Sequence, residues 1–329
     1  MLILTAEQVR KALPMREAIE AVKRGYAALS DGLAEVPLRV HLPITPHDAL
    51  SLFMPAFVQG IGGEALAVKV VSLFPGNPAR GLAYIQAAVL VLDPQTGAAV
   101  ALLEGSSLTA IRTGAASGAA VDLLSRPDSS IVAIFGAGVQ GRTQLEAACS
   151  VRKIETAWIY DADSSRAGAM ATEMSGVGAI PEDLRVASNP QQAVAEADVI
   201  CTATTSLTPV FSDLDLKAGT HISAVGSYTP EMQEIPPATV KRARIIVDSR
   251  SAALAETGDL IQPIRLGLIT AQDIHAELGE VVLGRRPGRQ ASGEITFFKS
   301  VGIAVQDAVA AQLAVANARR MGLGQEVHF

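Results

Sequence analysis

A glycine-rich loop is the feature that most constrains what this chain can fold into. The apolar run Ile131–Phe135 leads directly into the spacing Gly-x-Gly-x-x-Gly at Gly136, Gly138 and Gly141, and a helical pattern follows. This layout presents backbone N–H groups at a helix N-terminus, where they can bind a pyrophosphate. The first glycine permits the tight turn, the second lets the phosphate approach the backbone, and the third lets the helix pack on the strand. The spacing predicts a dinucleotide-binding β-α-β unit.

An acidic residue at the expected distance strengthens this interpretation, because the same glycine spacing also occurs in ordinary tight turns. A second apolar run, Thr156–Tyr160, ends at Asp161, and 161 − 141 = 20 residues separate it from Gly141. A carboxylate at this place accepts hydrogen bonds from the adenine-ribose hydroxyls and repels a 2′-phosphate. The sequence therefore favours NAD(H). Arg166, one turn into the next helix, leaves NADP(H) possible.

Composition sets the broad class of protein. With 329 residues, 49% of them hydrophobic and 18% charged, the chain suits about two domains with well-packed cores and shows no sign of disorder. A net charge of −6 without a basic cluster argues against a nucleic-acid partner. The chain lacks the pattern of a signal peptide and any apolar run of membrane-spanning length. We therefore expect no membrane association and a cytoplasmic location.

The order of predicted elements indicates an α/β fold with two parts. Two short helices and a run of strands precede the helix over 106–124, which is rich in small residues. Strand and helix patterns then alternate, as in a Rossmann-type doubly wound parallel sheet. A last helix over 302–321 has no predicted strand after it, and we expect it to pack back onto the first part.

The predicted division is a smaller α+β domain of 1–118 and 303–329, and a dinucleotide-binding domain of 119–302. The first part's predicted strands are 38–42, 49–54, 65–72, 83–92 and 99–103.

Three basic residues are candidates for binding a substrate. Lys69 lies in a strand-like apolar run, where a buried ammonium group needs an anionic partner. It either faces the core opposite an anion such as a substrate carboxylate, or occupies the polar side of an alternating strand. Arg112 lies among small apolar residues, so it either extends to the surface or binds a carboxylate or phosphate bidentately. Arg39 is more ambiguous, because an exposed strand arginine is the commoner case.

Other reaction types lack their usual residues. The histidines show no zinc-binding spacing, and no Gly-x-Ser-x-Gly nucleophile motif is present, so we predict no metal and no hydrolase chemistry. Cys149 and Cys201 fall in a helix and a strand, where they fit two buried small side chains better than a disulfide or a metal pair.

Several segments together resemble the ornithine cyclodeaminase/mu-crystallin family nearly from end to end. The segments that contain Lys69, Arg112 and Lys299 are specific to that family. The resembling stretches are Arg39, Met54-Pro55, Lys69 with Pro75-Gly-Asn77, Thr109-Ala-Ile-Arg112-Thr113, Gly136-Ala-Gly-Val-Gln140, Ala224-Val-Gly226 and Ile295-Thr-Phe-Phe-Lys299-Ser300-Val-Gly302-Ile-Ala.

This resemblance implies a homodimer in which both chain ends build a substrate and dimerisation domain around an inserted Rossmann domain, with the site in the cleft between them. It implies that Lys69 and Arg112 are catalytic. The residues implied to bind substrate are Arg39, Met54, Lys69, Arg112, Val301 and Gly302. Those implied to bind the dinucleotide are Arg112, Thr113, Gly136, Gly138, Val139, Gln140, Asp161, Thr204, Val225 and Ser300.

One departure from the family pattern decides between its activities. In the segment that corresponds to 224–232, the pattern of ornithine cyclodeaminases is similar to Ala-Val-Gly-Gly-Asp-x-Pro-Gly-Lys, and its aspartate is catalytic. This chain has Tyr228 at the aspartate position and Met232 at the lysine position. Tyrosine, with an ordinary pKa of about 10, is a poor base at neutral pH. We therefore expect a ketimine reductase-like member, which transfers hydride from NAD(P)H to cyclic imino acids such as Δ1-pyrroline-2-carboxylate or Δ1-piperideine-2-carboxylate and forms proline or pipecolate. The alternatives are ornithine cyclodeaminase, alanine dehydrogenase-type activity, or ligand storage without catalysis.

Overall fold

A computed structural model of the protein describes residues 1–60 and 63–328. The chain divides into two units. The first unit is Met1–Arg112 with Ile303–Phe329, and the second is Thr113–Gly302. The sequence places the first boundary between 118 and 119, whereas the structure divides the chain between Arg112 and Thr113. Both places lie within one continuous helix, α3 (Gly105–Leu124).

The strands form one sheet in each unit. Those of the first unit are β1 (Leu2–Leu4), β2 (Ala34–Glu35), β3 (Val40–Ile44), β4 (Ala49–Val58), β5 (Ala65–Leu73), β6 (Ile85–Leu92), β7 (Ala99–Glu104) and, near the chain end, β16 (Gln325–Glu326). Those of the second are β8 (Ile131–Phe135), β9 (Thr156–Tyr160), β10 (Leu184–Val186), β11 (Val199–Thr202), β12 (His221–Ala224), β13 (Arg244–Val247), β14 (Ile274–Glu277) and β15 (Thr296–Lys299).

The remaining helices begin where the sequence offers a cap or a proline. Thr5 and Gln8 form the predicted capping box of the first helix, and Asn189 caps the helix that begins with Pro190. These helices are α1 (Ala6–Ala12), α2 (Met15–Ser30), α4 (Val139–Val151), α5 (Ser164–Met174), α6 (Pro190–Val194), α7 (Pro237–Arg242), α8 (Arg250–Glu256), α9 (Gly258–Arg265), α10 (Leu278–Val282) and α11 (Ala304–Met321).

The sheet of the first unit has the order β16-β1-β7-β6-β5-β4-β2, with β3 also paired to β4. Strands β4 to β7 pair antiparallel with their sequence neighbours, which is the usual pairing when the segments between strands, here 59–64, 74–84 and 93–98, are short. Helix α11 packs against β4, β5 and β6 and against α2. Met54, Ala56, Ala67 and Lys69 are all buried, and they lie on the face that this helix covers. The last helix packs onto the first unit, as the sequence predicts.

The opposite face of this sheet is also apolar. Side chains alternate between faces along a strand, so Phe53 and Phe57 on β4, and Val68 and Val70 on β5, point away from α11 and are only half-buried. In the segment between β2 and β3, Leu38 is 89% exposed. A sheet with apolar residues on both faces is typical of one that packs against a second layer on each side.

The end of the chain differs from the sequence prediction. A short strand, β16, follows the last helix and pairs antiparallel with β1, which in turn pairs parallel with β7. Gly322 and Gly324 have φ of +66° and +98°, so these residues turn the chain back along the sheet edge. The prediction of no strand was wrong because a two-residue strand is too short to show a hydrophobic period.

The sheet of the second unit has the order β10-β9-β8-β11-β12-β15-β13-β14, and every neighbouring pair is parallel. The first strand of the unit, β8, lies between β9 and β11. From β8 the chain adds β9 and β10 towards one edge of the sheet, and from β11 onwards it adds strands towards the other edge. In such sheets the ligand binds at the carboxyl ends of the strands beside this change of direction. The fold class is α/β, with a Rossmann-type parallel sheet and a smaller α+β unit, as predicted.

Helices cover both faces of the parallel sheet, and two clusters of buried apolar side chains fill the space between the layers. This is why the strands contain almost continuous apolar residues and little alternation. Cys149 and Cys201 are buried and free, as the sequence predicts.

Candidate active site

The glycine-rich loop joins β8 to α4 and has the shape that a pyrophosphate requires. Gly136 has φ +94°, and a Cβ at this residue would lie 2.6 Å from the carbonyl oxygen of Ala203. A Cβ at Gly141 would lie 1.8 Å from the carbonyl oxygen of Gly136. Gly138 precedes α4 without a side-chain cap, so the first N–H groups of the helix, at Val139 and Gln140, are available to an anion. These residues fit the phosphate groups of a dinucleotide.

Asp161 lies beside this loop at the end of β9. Its Oδ2 atom accepts a hydrogen bond from Ala137 N at 2.7 Å, and its Oδ1 atom accepts one from Asp163 N at 2.9 Å. A carboxylate oxygen has a further lone pair, so Asp161 is held in place and can still accept hydrogen bonds from ribose hydroxyls. The Nη2 atom of Arg166 reaches the same loop, 3.3 Å from where a Cβ at Gly138 would lie.

The predicted cofactor residues beyond the glycine loop follow the ends of central strands. Thr204 follows β11 and Val225 follows β12, and Val225 N donates to Thr202 O at 2.9 Å. Thr113 begins the second unit, where its carbonyl oxygen accepts from Gln144 Nε2 at 3.4 Å. The carboxyl ends of parallel strands share one edge of a sheet, so Thr204, Val225 and the glycine loop lie on the same edge.

A buried carboxylate, Asp248, holds the segment from Ser300 to Gly302. It accepts hydrogen bonds from Ser300 Oγ at 2.7 Å, Val301 N at 3.0 Å and Gly302 N at 2.8 Å. Burial raises the pKa of this carboxyl, and the hydrogen bonds oppose that shift. Asp248 is not among the residues predicted from the sequence, although an acid directly after the apolar strand β13 was the available signal.

In the first unit, Lys69 and Arg112 share one buried carboxylate. Lys69 Nζ lies 2.8 Å from Asp307 Oδ2, and Arg112 Nε lies 2.9 Å from Asp307 Oδ1. These residues are 2%, 5% and 1% exposed. Lys69 therefore faces the core and has an anionic partner, which was one of its two predicted alternatives. We call these three residues the buried cation cluster.

The buried cation cluster carries an excess of positive charge, because two cations face one carboxylate. Burial and the Arg112 charge lower the pKa of Lys69 to about 8, although Asp307 opposes the shift. Burial raises the pKa of Asp307, but the Arg112 and Lys69 charges outweigh it and hold that pKa below its usual value. The excess charge and the weakened hold of Lys69 on its proton make the cluster suited to binding and protonating an anionic substrate.

Neighbouring residues orient Arg112. Its Nη1 atom donates to Gln306 Oε1 at 2.9 Å, and Gln306 Nε2 donates to Tyr26 Oη at 2.5 Å. Within the described residues, Nη2 of Arg112 has no hydrogen-bond or ion-pair partner. Asp307, Gln306 and Tyr26 are not among the residues predicted from the sequence. The available signal for Asp307 was a single acid in a helix of mostly small and apolar residues.

The structure also brings Met54 and the charge of Arg39 to this cluster. Met54 is the cross-strand partner of Lys69 and is buried. Arg39 is half-buried, lies one residue before β3 and not within it, and its charge contributes to lowering the pKa of Lys69.

The two positions at which this chain departs from the ornithine cyclodeaminase pattern differ in solvent exposure. Tyr228 is 45% exposed, whereas Met232 is buried. Ser227 Oγ donates to Met232 O at 2.7 Å, which holds the loop after β12. Among the described residues, no group of histidine, cysteine and acidic side chains has a metal-binding arrangement, and no helix is long and apolar enough to cross a membrane.

The parallel sheet, the glycine loop and the acid beside it define a dinucleotide-binding protein. The sequence profile of the ornithine cyclodeaminase/mu-crystallin family matches residues 1–321. This chain therefore belongs to that family, which confirms the resemblance seen in the sequence.

Individual relatives match over the full length. Δ1-Pyrroline-2-carboxylate reductase of Bacillus cereus strain ZK / E33L is 41% identical, with 100% of both chains covered. The structure of Thermococcus litoralis Δ1-pyrroline-2-carboxylate reductase with NADH and L-proline has a TM-score of 0.93 and 43% identity, covering 99% of this chain and 100% of that one. An archaeal alanine dehydrogenase dimer with bound NAD has a TM-score of 0.91 and 33% identity, covering 100% and 99%.

Replacing Gly138 with alanine should weaken dinucleotide binding with little effect on stability. A Cβ here meets only the flexible end of Arg166, and alanine readily adopts φ −78°, but the methyl group would occupy the space that the phosphate approaches. We expect the Kd for NADH to rise at least about tenfold, or about 1.4 kcal/mol, in fluorescence titrations, with Tm close to the wild-type value.

The control is Gly141→Ala, whose Cβ would overlap the carbonyl oxygen of Gly136 and should lower Tm. Wild-type NADH affinity in Gly138→Ala would contradict the role of this glycine.

Proposed function

We propose that this chain is an NADH-dependent reductase of cyclic imino acids, acting on Δ1-pyrroline-2-carboxylate or Δ1-piperideine-2-carboxylate to form proline or pipecolate. The observation that carries the proposal is the buried cation cluster, whose excess positive charge suits a small substrate with a carboxylate. The second unit supports it with the glycine loop of a dinucleotide site. The full-length similarity to Δ1-pyrroline-2-carboxylate reductases, one of which was solved with NADH and L-proline, supports the same reaction. The chain is thus an oxidoreductase that acts on C–N bonds.

In this proposal, Arg112 and Arg39 bind the carboxylate of the imino acid. Asp307 and Gln306 fix the guanidinium of Arg112 through Nε and Nη1, which leaves Nη2 for the substrate. A charge-assisted hydrogen bond of this kind contributes about 1.5–3 kcal/mol. Met54 lies beside Lys69 and supplies an apolar contact for the ring of the substrate.

Lys69 protonates the imine nitrogen. A carbon–nitrogen double bond accepts hydride more readily when its nitrogen is protonated, because the carbon is then more electrophilic. With a pKa near 8, Lys69 is mostly protonated at neutral pH and yet releases a proton more readily than an ordinary lysine. The proton leaves Nζ for the nitrogen, which leaves Lys69 neutral, while Asp307 stays ionised opposite Arg112.

Residues of the second unit hold the dinucleotide in this proposal. The N–H groups at the start of α4 bind the pyrophosphate, Asp161 binds the adenine ribose, and Thr204, Val225 and Ser300 lie along the rest of the molecule. When bound, the nicotinamide supplies the hydride to the α-carbon of the substrate. The carboxylate of Asp161 favours NADH over NADPH, whereas Arg166 beside the loop would partly compensate a 2′-phosphate.

The alternatives account for fewer of these features. A cyclodeaminase would need another base, because Tyr228 stands in place of the family's aspartate. Alanine dehydrogenase activity is the near alternative, since it uses the same dinucleotide and an imino acid intermediate. Pure ligand storage does not explain why Lys69 is buried beside a second cation, an arrangement that lowers its pKa and destabilises its charge.

We also propose that the chain forms a homodimer through the apolar outer face of the first sheet. Val68 and Val70 on this face are only half-buried, and the similar archaeal alanine dehydrogenase is a dimer. Light scattering that gives the mass of a single chain would contradict this. The cytoplasmic location stays a prediction from the sequence.

The decisive experiment follows NADH oxidation with a panel of cyclic imines, 2-oxo acids with ammonia, and ornithine. We expect the five- or six-membered imine to give the highest kcat/KM, and NADH to be preferred over NADPH. Lys69→Ala and Arg112→Ala should each lower kcat/KM by at least about a hundredfold, because each removes a charge that meets the substrate.

Both variants should still bind NADH, since the glycine loop and Asp161 remain, although Arg112→Ala also removes a side chain that the family resemblance places at the dinucleotide. Near-normal imine reduction by both variants would disprove the assigned roles, and ammonia released from ornithine with catalytic NAD would establish the cyclodeaminase.

Imine reduction should also lose activity as pH rises through about 8, because Lys69 then loses the proton that it donates. Asp307 raises the pKa of Lys69, so Asp307→Asn should move this alkaline limb of kcat/KM to lower pH by about one unit or more.

The ionisation of the substrate is the same for both enzymes, and therefore a difference between their profiles reports on the protein. Coincident alkaline limbs would show that Lys69 is not the titrating acid.

A further inference from the structure

A buried carboxylate in the second unit joins the ends of two central strands. Glu234 is completely buried and accepts five hydrogen bonds from the residues that end β11 and β12. At the end of β11 the donors are Thr202 Oγ1 at 2.9 Å, Thr204 N at 2.6 Å and Thr204 Oγ1 at 2.9 Å. At the end of β12 they are Gly226 N at 2.7 Å and Ser227 N at 3.2 Å.

The backbone at the end of β12 packs closely against Glu234 and the end of β11. A Cβ at Gly226 would lie 2.1 Å from Thr204 O and 2.5 Å from Glu234 Oε1. The two strand ends therefore approach as closely as a glycine permits. A shift of the carboxylate would move Thr204 and the residue before Gly226, which is Val225.

A second pair of buried charges anchors Glu234 itself. Asp259 Oδ1 accepts from Glu234 N at 2.7 Å and from Ile235 N at 3.0 Å. The other oxygen, Oδ2, lies 3.2 Å from Lys299 Nζ, and both side chains are completely buried. Lys299 directly precedes Ser300. The network thus connects the three segments that contain Thr204, Val225 and Ser300.

We propose that Glu234 is a positioning residue that holds Thr204 and Val225 where they bind the nicotinamide half of the dinucleotide. The inference rests on the proposed NADH-dependent function, and Glu234 acts through these residues without touching the dinucleotide. The glycine loop and Asp161, which bind the pyrophosphate and the adenine ribose in that function, make none of the hydrogen bonds to Glu234. Glu234 therefore fixes the segments after β11 and β12 directly and the glycine loop only through packing, since a Cβ at Gly136 would lie 3.2 Å from Thr204 Cγ2.

The role requires a carboxylate because every neighbour is a donor. An ionised carboxyl group has only acceptors, whereas the amide of glutamine has one acceptor oxygen and an NH2 group that donates. In Glu234→Gln, one end of the amide must face backbone N–H groups that cannot accept a hydrogen bond. Those donors move or remain unsatisfied, which is costly in a buried site.

The test compares the binding of NADH with that of ADP-ribose, which lacks the nicotinamide ring. In Glu234→Gln we expect the Kd for NADH to rise at least about tenfold, while the Kd for ADP-ribose stays within about twofold of the wild-type value. Loss of a merely structural contact would weaken both ligands together or neither, so the ratio of the two constants distinguishes positioning from stability.

The chain offers a matched control at the opposite end of the same strand. Asp198 precedes β11, is buried, and accepts hydrogen bonds from Ser130 N at 2.9 Å and Ile131 N at 3.0 Å. It also pairs with Arg126. Asp198→Asn should lower Tm and leave both dissociation constants unchanged. If Asp198→Asn changes the ratio of the Kd for NADH to the Kd for ADP-ribose as Glu234→Gln does, the inference is wrong.

Other outcomes are equally clear. An unchanged Kd for NADH in Glu234→Gln, or an equal loss for both ligands, would overturn the inference while the proposed function stands. Wild-type protein that binds neither ligand would overturn the proposed function and the inference with it. If Glu234→Gln does not fold, Thr202→Val removes one donor with little change of shape, and the same selective loss of NADH affinity, about threefold, is expected.

Discussion

The sharing of Asp307 by Lys69 and Arg112 is the interaction that underlies the proposed chemistry. An unpaired charge in a protein interior is strongly unfavourable, so two buried cations require a carboxylate nearby. One carboxylate satisfies the geometry of both but neutralises only one of them. The remaining charge is available to an anionic substrate, and the same competition lowers the pKa of Lys69 to about 8. In the proposed function, substrate binding and proton donation thus have one physical origin.

The second unit uses buried carboxylates for a different purpose. Asp161, Asp248 and Glu234 each accept backbone N–H groups at the carboxyl edge of the parallel sheet. Strand ends expose such groups, because the hydrogen-bonding ladder stops there. A carboxylate that collects several of them fixes the loops more firmly than neutral partners, since charge-assisted hydrogen bonds are stronger. A rigid edge is what a dinucleotide needs in order to be held in one orientation.

These two devices suit a reaction that asks little of the protein. Hydride transfer to a protonated imine requires a bound carboxylate, a proton and a fixed dinucleotide. In the proposed function, the buried cation cluster supplies the first two, and the carboxylates at the sheet edge supply the third. By its resemblance to the family, a cyclodeaminase also needs an acidic residue at the position of Tyr228, and tyrosine, with an ordinary pKa of about 10, is in general a poor base at neutral pH. The loop after β12 therefore favours the reductase over the cyclodeaminase.

The sequence by itself determined the features that depend on neighbours along the chain. Gly136, Gly138 and Gly141 predict the loop, and alternating strand and helix patterns predict the parallel sheet, because both follow from local backbone geometry and hydrophobic period. It also singled out Lys69 and Arg112 as cations in apolar surroundings. Only the tertiary structure decided their partner: Arg112 and Asp307 are 195 residues apart in sequence, and no local pattern encodes a contact between a strand, a helix and the distant chain end. Charge pairing across such a distance is a product of packing, which brings the ends of the chain together.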